Sequence, residues 1–153
     1  MNDALIRLLH LASPTLPVGA YTYSQGLEWA VEAGSVKDAS SALDWIGECL
    51  ALGIAQFEAV YLAHMLEAWL VDDLDALATL NAEFVASRES AELRAETLQM
   101  GHSLVRLLAD LGAAPPALAD FTEPSFPLAW SSVAAVWKIP VREAVAGYLW
   151  AWA

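Results

Sequence analysis

Basic residues are scarce in this chain. Seven lysines and arginines stand against 19 aspartates and glutamates, leaving a formal charge of -12. Such a surface repels phosphate and releases no counterions on meeting it, which excludes nucleic acid as a partner. Cysteine is nearly absent too: Cys49 stands alone, so no internal disulfide framework exists and a reducing compartment, the cytoplasm, is expected. Long uncharged runs are missing except Leu8 to Leu27, where Pro14, Pro17 and Gly19 rule out a membrane helix. Asp3, Arg7 and His10 interrupt the N-terminal apolar stretch, which excludes a signal peptide. There is no nucleophile elbow, phosphate-binding loop or dinucleotide fingerprint, and no sustained strand alternation.

Apolar residues are abundant. Counted with glycine and without tyrosine, about 60% of the chain is apolar against a usual 45–50%. A chain of 153 residues suits one domain, and this one has more apolar surface than a single small core needs. The surplus implies either a surface for partners or a chain whose covering segments are missing.

The spacing predicts helices throughout: an all-α, single-domain compact bundle of about seven to eight helices over residues 1–153. A first helix covers roughly residues 3–12, and the prolines after Ser13 impose an extended or turning course up to Tyr23. A short helix from about Ser24 ends at Gly34. Asp38 then caps a helix whose Ala39, Ala42, Leu43, Ile46, Leu50, Gly53, Ile54 and Phe57 form a core-facing stripe. Val60 to Val71 is apolar nearly all round and reads as the central helix. Leu74, Leu77, Phe84 and Val85 mark the next.

In the following helix Leu93, Met100, Leu104, Leu107 and Leu111 share one face, opposite Glu89, Glu92, Glu96 and Arg106. Residues 115–127 form a loop with room for one helical turn, and Pro127 and Pro140 open the last two helices. The final one stops at Ala153 without glycine cap or polar tail, so the chain is expected to be truncated at its C-terminus.

His10, His64 and His102 are far apart in sequence, and His64 with Glu67 reverses the Glu-x-x-His order of di-iron bundles, so no metal site is expected. Two stretches stand out. The loop from Ser13 to Glu28 fixes a backbone path with prolines and glycines while offering Tyr21 and Tyr23. It reads either as partner contact or as a cover over the core. The stretch Ala86 to Gly101 pairs Arg88 with Glu92 as an ordinary surface ion pair and sets Arg94 at the edge of the buried face. A guanidinium there requires a carboxylate, and Glu28 is the expected partner. Gly101 in mid-helix implies a close approach by a neighbouring helix.

These two stretches, together with the segment Pro124 to Pro140, resemble the signature segments of the UreF family of urease accessory proteins, and the resemblance runs from about Leu5 to Ala153. Tyr21 and Thr22 replace the Phe and Ser expected there. The resemblance implies an all-helical, non-enzymatic factor, often a homodimer, that joins a UreD/UreH-type scaffold and the UreG-type GTPase to bring nickel to apo-urease. Nickel would be handled by the complex and not held by this chain. Carried over by motif, Pro17, Gly19, Tyr21, Tyr23, Ser24 and Glu28, with Ser87, Arg88, Glu89, Glu92 and Arg94, are the candidates for partner contact or its structural support. The rival reading is an all-helical enzyme or small-ligand binder whose pocket Trp69, Trp130 or Trp137 would line.

Overall fold

A computed structural model describes residues 3–19 and 26–153. Among the described residues the protein is built of helices alone. Helix α1 (Asp3–Leu11) leads into a loop whose Val18 is buried, and α2 (Leu27–Glu32) ends before Gly34, which takes the left-handed conformation expected of a helix stop, φ 73°. Asp38 caps α3 (Ala39–Glu48): its carboxylate accepts from the Ser41 amide at 2.9 Å while the Ser41 hydroxyl accepts from the Asp38 amide at 3.0 Å.

Helix α3 runs without a break through a π-helical segment (Cys49–Glu58) into α4 (Ala59–Leu70), making one helix of 32 residues. The π segment overturns the continuous core-facing stripe expected from Ala39 to Phe57. Its wider i→i+5 turns break the 3.6-residue period on which that stripe depends. Helix α3 buries none of its residues, Leu43 is 71% exposed, and of the stripe only Ile54 is buried, with Leu50 and Phe57 packed at the core's margin.

Helix α4 is central as expected, with Leu62, Met65 and Leu66 fully buried, but it is not covered all round: Val60, Leu70 and Val71 face outward. It shares the centre with α7 (Phe126–Val136), every residue of which from Pro127 to Ala134 is buried. Trp130 packs edge-on against Tyr148 of α8 (Val141–Trp152), ring centroids 5.4 Å apart. The buried hydroxyls of Ser131 and Ser132 donate to carbonyls three residues back, so this apolar helix satisfies its two serines within itself.

Helices α5 (Leu74–Ala86) and α6 (Ala91–Asp110) are capped by Asp73 and Ser90. Along α6 the buried face is Thr97, Met100, Gly101, Leu104 and Leu108, of which Met100 and Leu104 were expected; Leu111 is exposed, and Glu96, expected on the polar side, is buried. The face turns this way because Thr97 and Gly101 admit the loop that precedes α7. After a 3-10 turn (Pro116–Asp120) that loop is gripped from both helices. Asn81 of α5 donates to the Glu123 carbonyl at 2.9 Å and accepts from the Ser125 amide at 3.0 Å, and the Thr97 hydroxyl accepts from the Phe126 amide at 3.1 Å.

Gly101 is the contact point. A Cβ there would lie 2.0 Å from the Pro124 carbonyl oxygen and 2.8 Å from the Ser125 carbonyl carbon. The close approach expected at Gly101 is therefore made by loop backbone, not by a second helix. Gly101→Ala should destabilise the protein by about 1–3 kcal/mol through overpacking, despite alanine's better helix propensity. Urea unfolding measures this, and a midpoint equal to or above that of the parent would show that the loop yields without cost.

Candidate partner-contact site

Arg88 sits in the turn between α5 and α6, and it is not the surface residue expected. Its side chain is 12% exposed and pairs with Glu58, 16% exposed, at 2.7 Å, instead of with Glu92. The guanidinium lies over the rings of Phe84 and Phe57, 4.3 and 5.1 Å from their centroids. The other oxygen of Glu58 accepts from the Tyr148 hydroxyl at 2.6 Å. One carboxylate thus ties the end of the π segment to the α5–α6 turn and to α8.

Burial pushes the Tyr148 phenol well above its ordinary value of 10.0, and the neighbouring Glu58 charge and hydrogen bond add to the rise. Below pH 10 the phenol is neutral whether folded or unfolded. Above it, only the unfolded chain ionises readily, so stability falls as the pH climbs past 10.

Arg94 also has a carboxylate partner, but not the one expected. It forms a forked pair with both oxygens of Glu123, at 3.0 and 3.2 Å, and the two side chains are 48% and 55% exposed. Glu28 is exposed on α2. The Arg94–Glu28 pair is overturned because Arg94, although on the same side of α6 as Gly101, lies about two turns nearer the helix's N-terminal end, beyond the residues that the core covers. Arg94 is left at the rim, where the Glu123 loop passes.

The remaining candidates divide by exposure. Ser87, Glu89 and Glu92 are exposed around the same turn that buries Arg88. The Ser87 hydroxyl donates to the Phe84 carbonyl at 2.6 Å. Glu92, in the first turn of α6, has its carboxyl held below the ordinary value by its own backbone amide and then by the Ser90 hydroxyl, so it is a stable negative charge at the surface. Pro17 and Gly19 are exposed on either side of buried Val18. Tyr21, Tyr23 and Ser24 lie outside the described residues.

Sequence reasoning missed Glu58, Tyr148, Asn81 and Glu123. Glu58 carried a readable signal, since it is the one charged residue between Cys49 and His64 and a lone carboxylate in an apolar run needs a partner. The others carried none, because their roles depend on segments far away in the chain.

For metal or ligand binding the arrangement offers little chemistry. Among the described residues no three histidine, cysteine or carboxylate groups gather closely enough to hold a metal ion. His64 and Glu67 make only an exposed contact of 3.4 Å. Trp69 and Trp130 are core residues, while Trp137 lines an open cleft of about 370 Å³ floored by leucines of α1 and α6.

The family model for UreF matches residues 36–153. The chain is 56% identical to the urease accessory protein UreF of Azoarcus sp. (strain BH72), across 97% of this chain and 66% of that protein. It is 54% identical to the protein of that name from Dechloromonas aromatica (strain RCB), across 97% and 68%, and 49% identical to that of Nitrosococcus oceani, across 98% and 69%. It therefore spans about two thirds of the length of these relatives.

Breaking the buried pair from one side leaves an uncompensated charge, so Arg88→Ala should cost about 3–5 kcal/mol of stability. Tyr148→Phe should cost about 1–3 kcal/mol, because Glu58 loses a donor it cannot replace from water. Thermal melting followed by far-ultraviolet circular dichroism reads both, and melting temperatures within error of the parent would place these side chains outside the fold's support. Spectrophotometric titration adds a second check: the parent should show a tyrosine ionising well above pH 10 that Tyr148→Phe lacks.

Proposed function

Because the chain belongs to the UreF family of urease accessory proteins, a non-catalytic family, we propose that it serves as an assembly factor in urease maturation. Its partners in this reading are a UreD/UreH-type scaffold, the UreG-type GTPase and apo-urease. It orients them for nickel delivery and adjusts GTP turnover in trans. Nickel passes through the complex without being held by this chain, which works in the cytoplasm.

The observation that supports this reading is the division of labour within Ser87–Arg94. Arg88 and Arg94 are engaged by Glu58 and Glu123, whereas Glu89 and Glu92 stand exposed on a turn that those pairs brace. A braced turn with exposed carboxylates is suited to contact, because its geometry is set before a partner arrives. Leu5 and Leu9 of α1 and Trp29 and Val31 of α2 are exposed as well, and they supply apolar surface for a homodimer.

Co-expression with the scaffold, the GTPase and the urease subunits tests the proposal. The parent should co-purify with the accessory proteins and raise urease activity. Glu89→Lys with Glu92→Lys should weaken co-purification at least about ten-fold, as charge reversal at a contact does, with an unchanged melting temperature. Full urease activation without this chain, or by the double variant at parental levels, would overturn the proposal or its choice of turn, respectively.

A further inference from the structure

Charge is unevenly spread along the chain. Between Lys37 and Arg88 there are nine carboxylates and no lysine or arginine. This stretch forms the long helix from α3 to α4, and α5. It also holds six large apolar side chains that the fold leaves exposed: Leu43, Leu52, Val60, Leu70, Val71 and Leu74.

Leu52 and Gln56 are exposed on the π segment, and along α4 Val60, His64 and Glu67 are exposed at intervals of three or four residues, a series that Val71 continues. That is one helical face. It ends in a protruding turn where Leu70, Val71 and Leu74 are 57%, 74% and 45% exposed. Asp72 takes the left-handed conformation there, φ 55°, which lets the chain reverse between α4 and α5. Asp73 is committed to capping α5, but Asp72 and Asp75 are exposed beside the leucines and valine, with no lysine or arginine for more than ten residues either way.

We propose that this outer face, centred on the Leu70–Val71–Leu74 turn, is a docking surface for a protein that presents an apolar recess rimmed by lysine or arginine. Apolar anchors supply the binding free energy and the surrounding carboxylates select the charge of the partner. The sign of the rim decides among occupants. A second copy meeting this face with its own would bring carboxylate against carboxylate with no basic residue from this stretch to offset them. An anionic bilayer would be repelled for the same reason. The proposal deepens the assembly-factor reading by giving one partner a chemistry, and it rests on that reading only for the existence of protein partners.

The probe is a fluorescein-labelled helical peptide of leucine and lysine, compared by anisotropy with a peptide of the same leucines and glutamate and with phosphatidylglycerol vesicles. The leucine–lysine peptide should bind. Leu70→Ser, Val71→Ser and Leu74→Ser together should weaken it at least about ten-fold, and so should Asp72→Asn with Asp75→Asn, asparagine being chosen because it tolerates the left-handed turn. Asp110→Asn with Glu143→Gln removes the same charge elsewhere and should change affinity by less than about two-fold.

Equal loss in that control would mean attraction to net charge alone and overturn the proposal. So would equal binding of the glutamate peptide, preferential binding to vesicles, or self-association in ultracentrifugation that the triple serine variant abolishes. The peptide measurement does not involve urease. Failure here with co-purification intact therefore sinks only the docking surface, and the converse sinks only the assembly reading.

Discussion

A guanidinium under two aromatic rings cannot remain without a carboxylate, and the arrangement of this protein follows from how that need is met. Arg88 is supplied by Glu58, and Glu58 is supplied by Tyr148. The three residues come from the middle of the chain, from a turn 30 residues later and from the last helix, 90 residues from the carboxylate. Apolar burial holds α7 against α4 and α6 without fixing their register, because greasy contacts are tolerant of sliding. The polar triad has one satisfactory geometry, and it brings the end of the π segment to a set place against α5 and α8. The i→i+5 turns of the long helix finish at Glu58, where the triad begins.

A second polar arrangement fixes the loop before α7 as the triad fixes the α5–α6 turn. Asn81, Thr97 and Arg94 hold the loop that launches α7, and Gly101 lets its backbone touch the helix. The stretches that carry the family resemblance, Ala86 to Gly101 and Pro124 to Pro140, therefore meet each other within the fold. Much of that signature is structural. The part of it that stays at the surface includes Ser87, Glu89 and Glu92, and the acidic, partly apolar face of the long helix is exposed separately.

The helical class, the Asp38 cap, the stop at Gly34 and the fully apolar segments were legible in the sequence because each depends on local chemistry or on one uninterrupted period. The stripe from Ala39 to Phe57 was misread because periodicity assumes an α-helix throughout, and a change of turn width leaves no mark in composition. Arg94 was assigned the wrong carboxylate for a different reason: counting turns on α6 places it in line with buried Gly101 and Leu108 but does not tell which distant segment passes its end of the helix. Gly101 marked where that segment comes closest. Its lack of a side chain was read as helix packing, although loop backbone, which also needs close approach, fits equally well. Glu58 stood out by its isolation, but its partners could only be named once the helices were assembled.

The dependence of the fold on Arg88 and Glu58 as a unit is open to a double-mutant cycle in guanidinium unfolding, using methionine to keep volume and remove charge: Arg88→Met, Glu58→Met and both together. Each single variant leaves one buried charge without its partner, whereas the double variant leaves none, so the double should be more stable than the sum of the two losses requires, with a coupling of about 1–3 kcal/mol. Strictly additive losses would contradict the account, since they would mean that the two side chains support the structure independently and that no shared constraint joins the long helix to the turn.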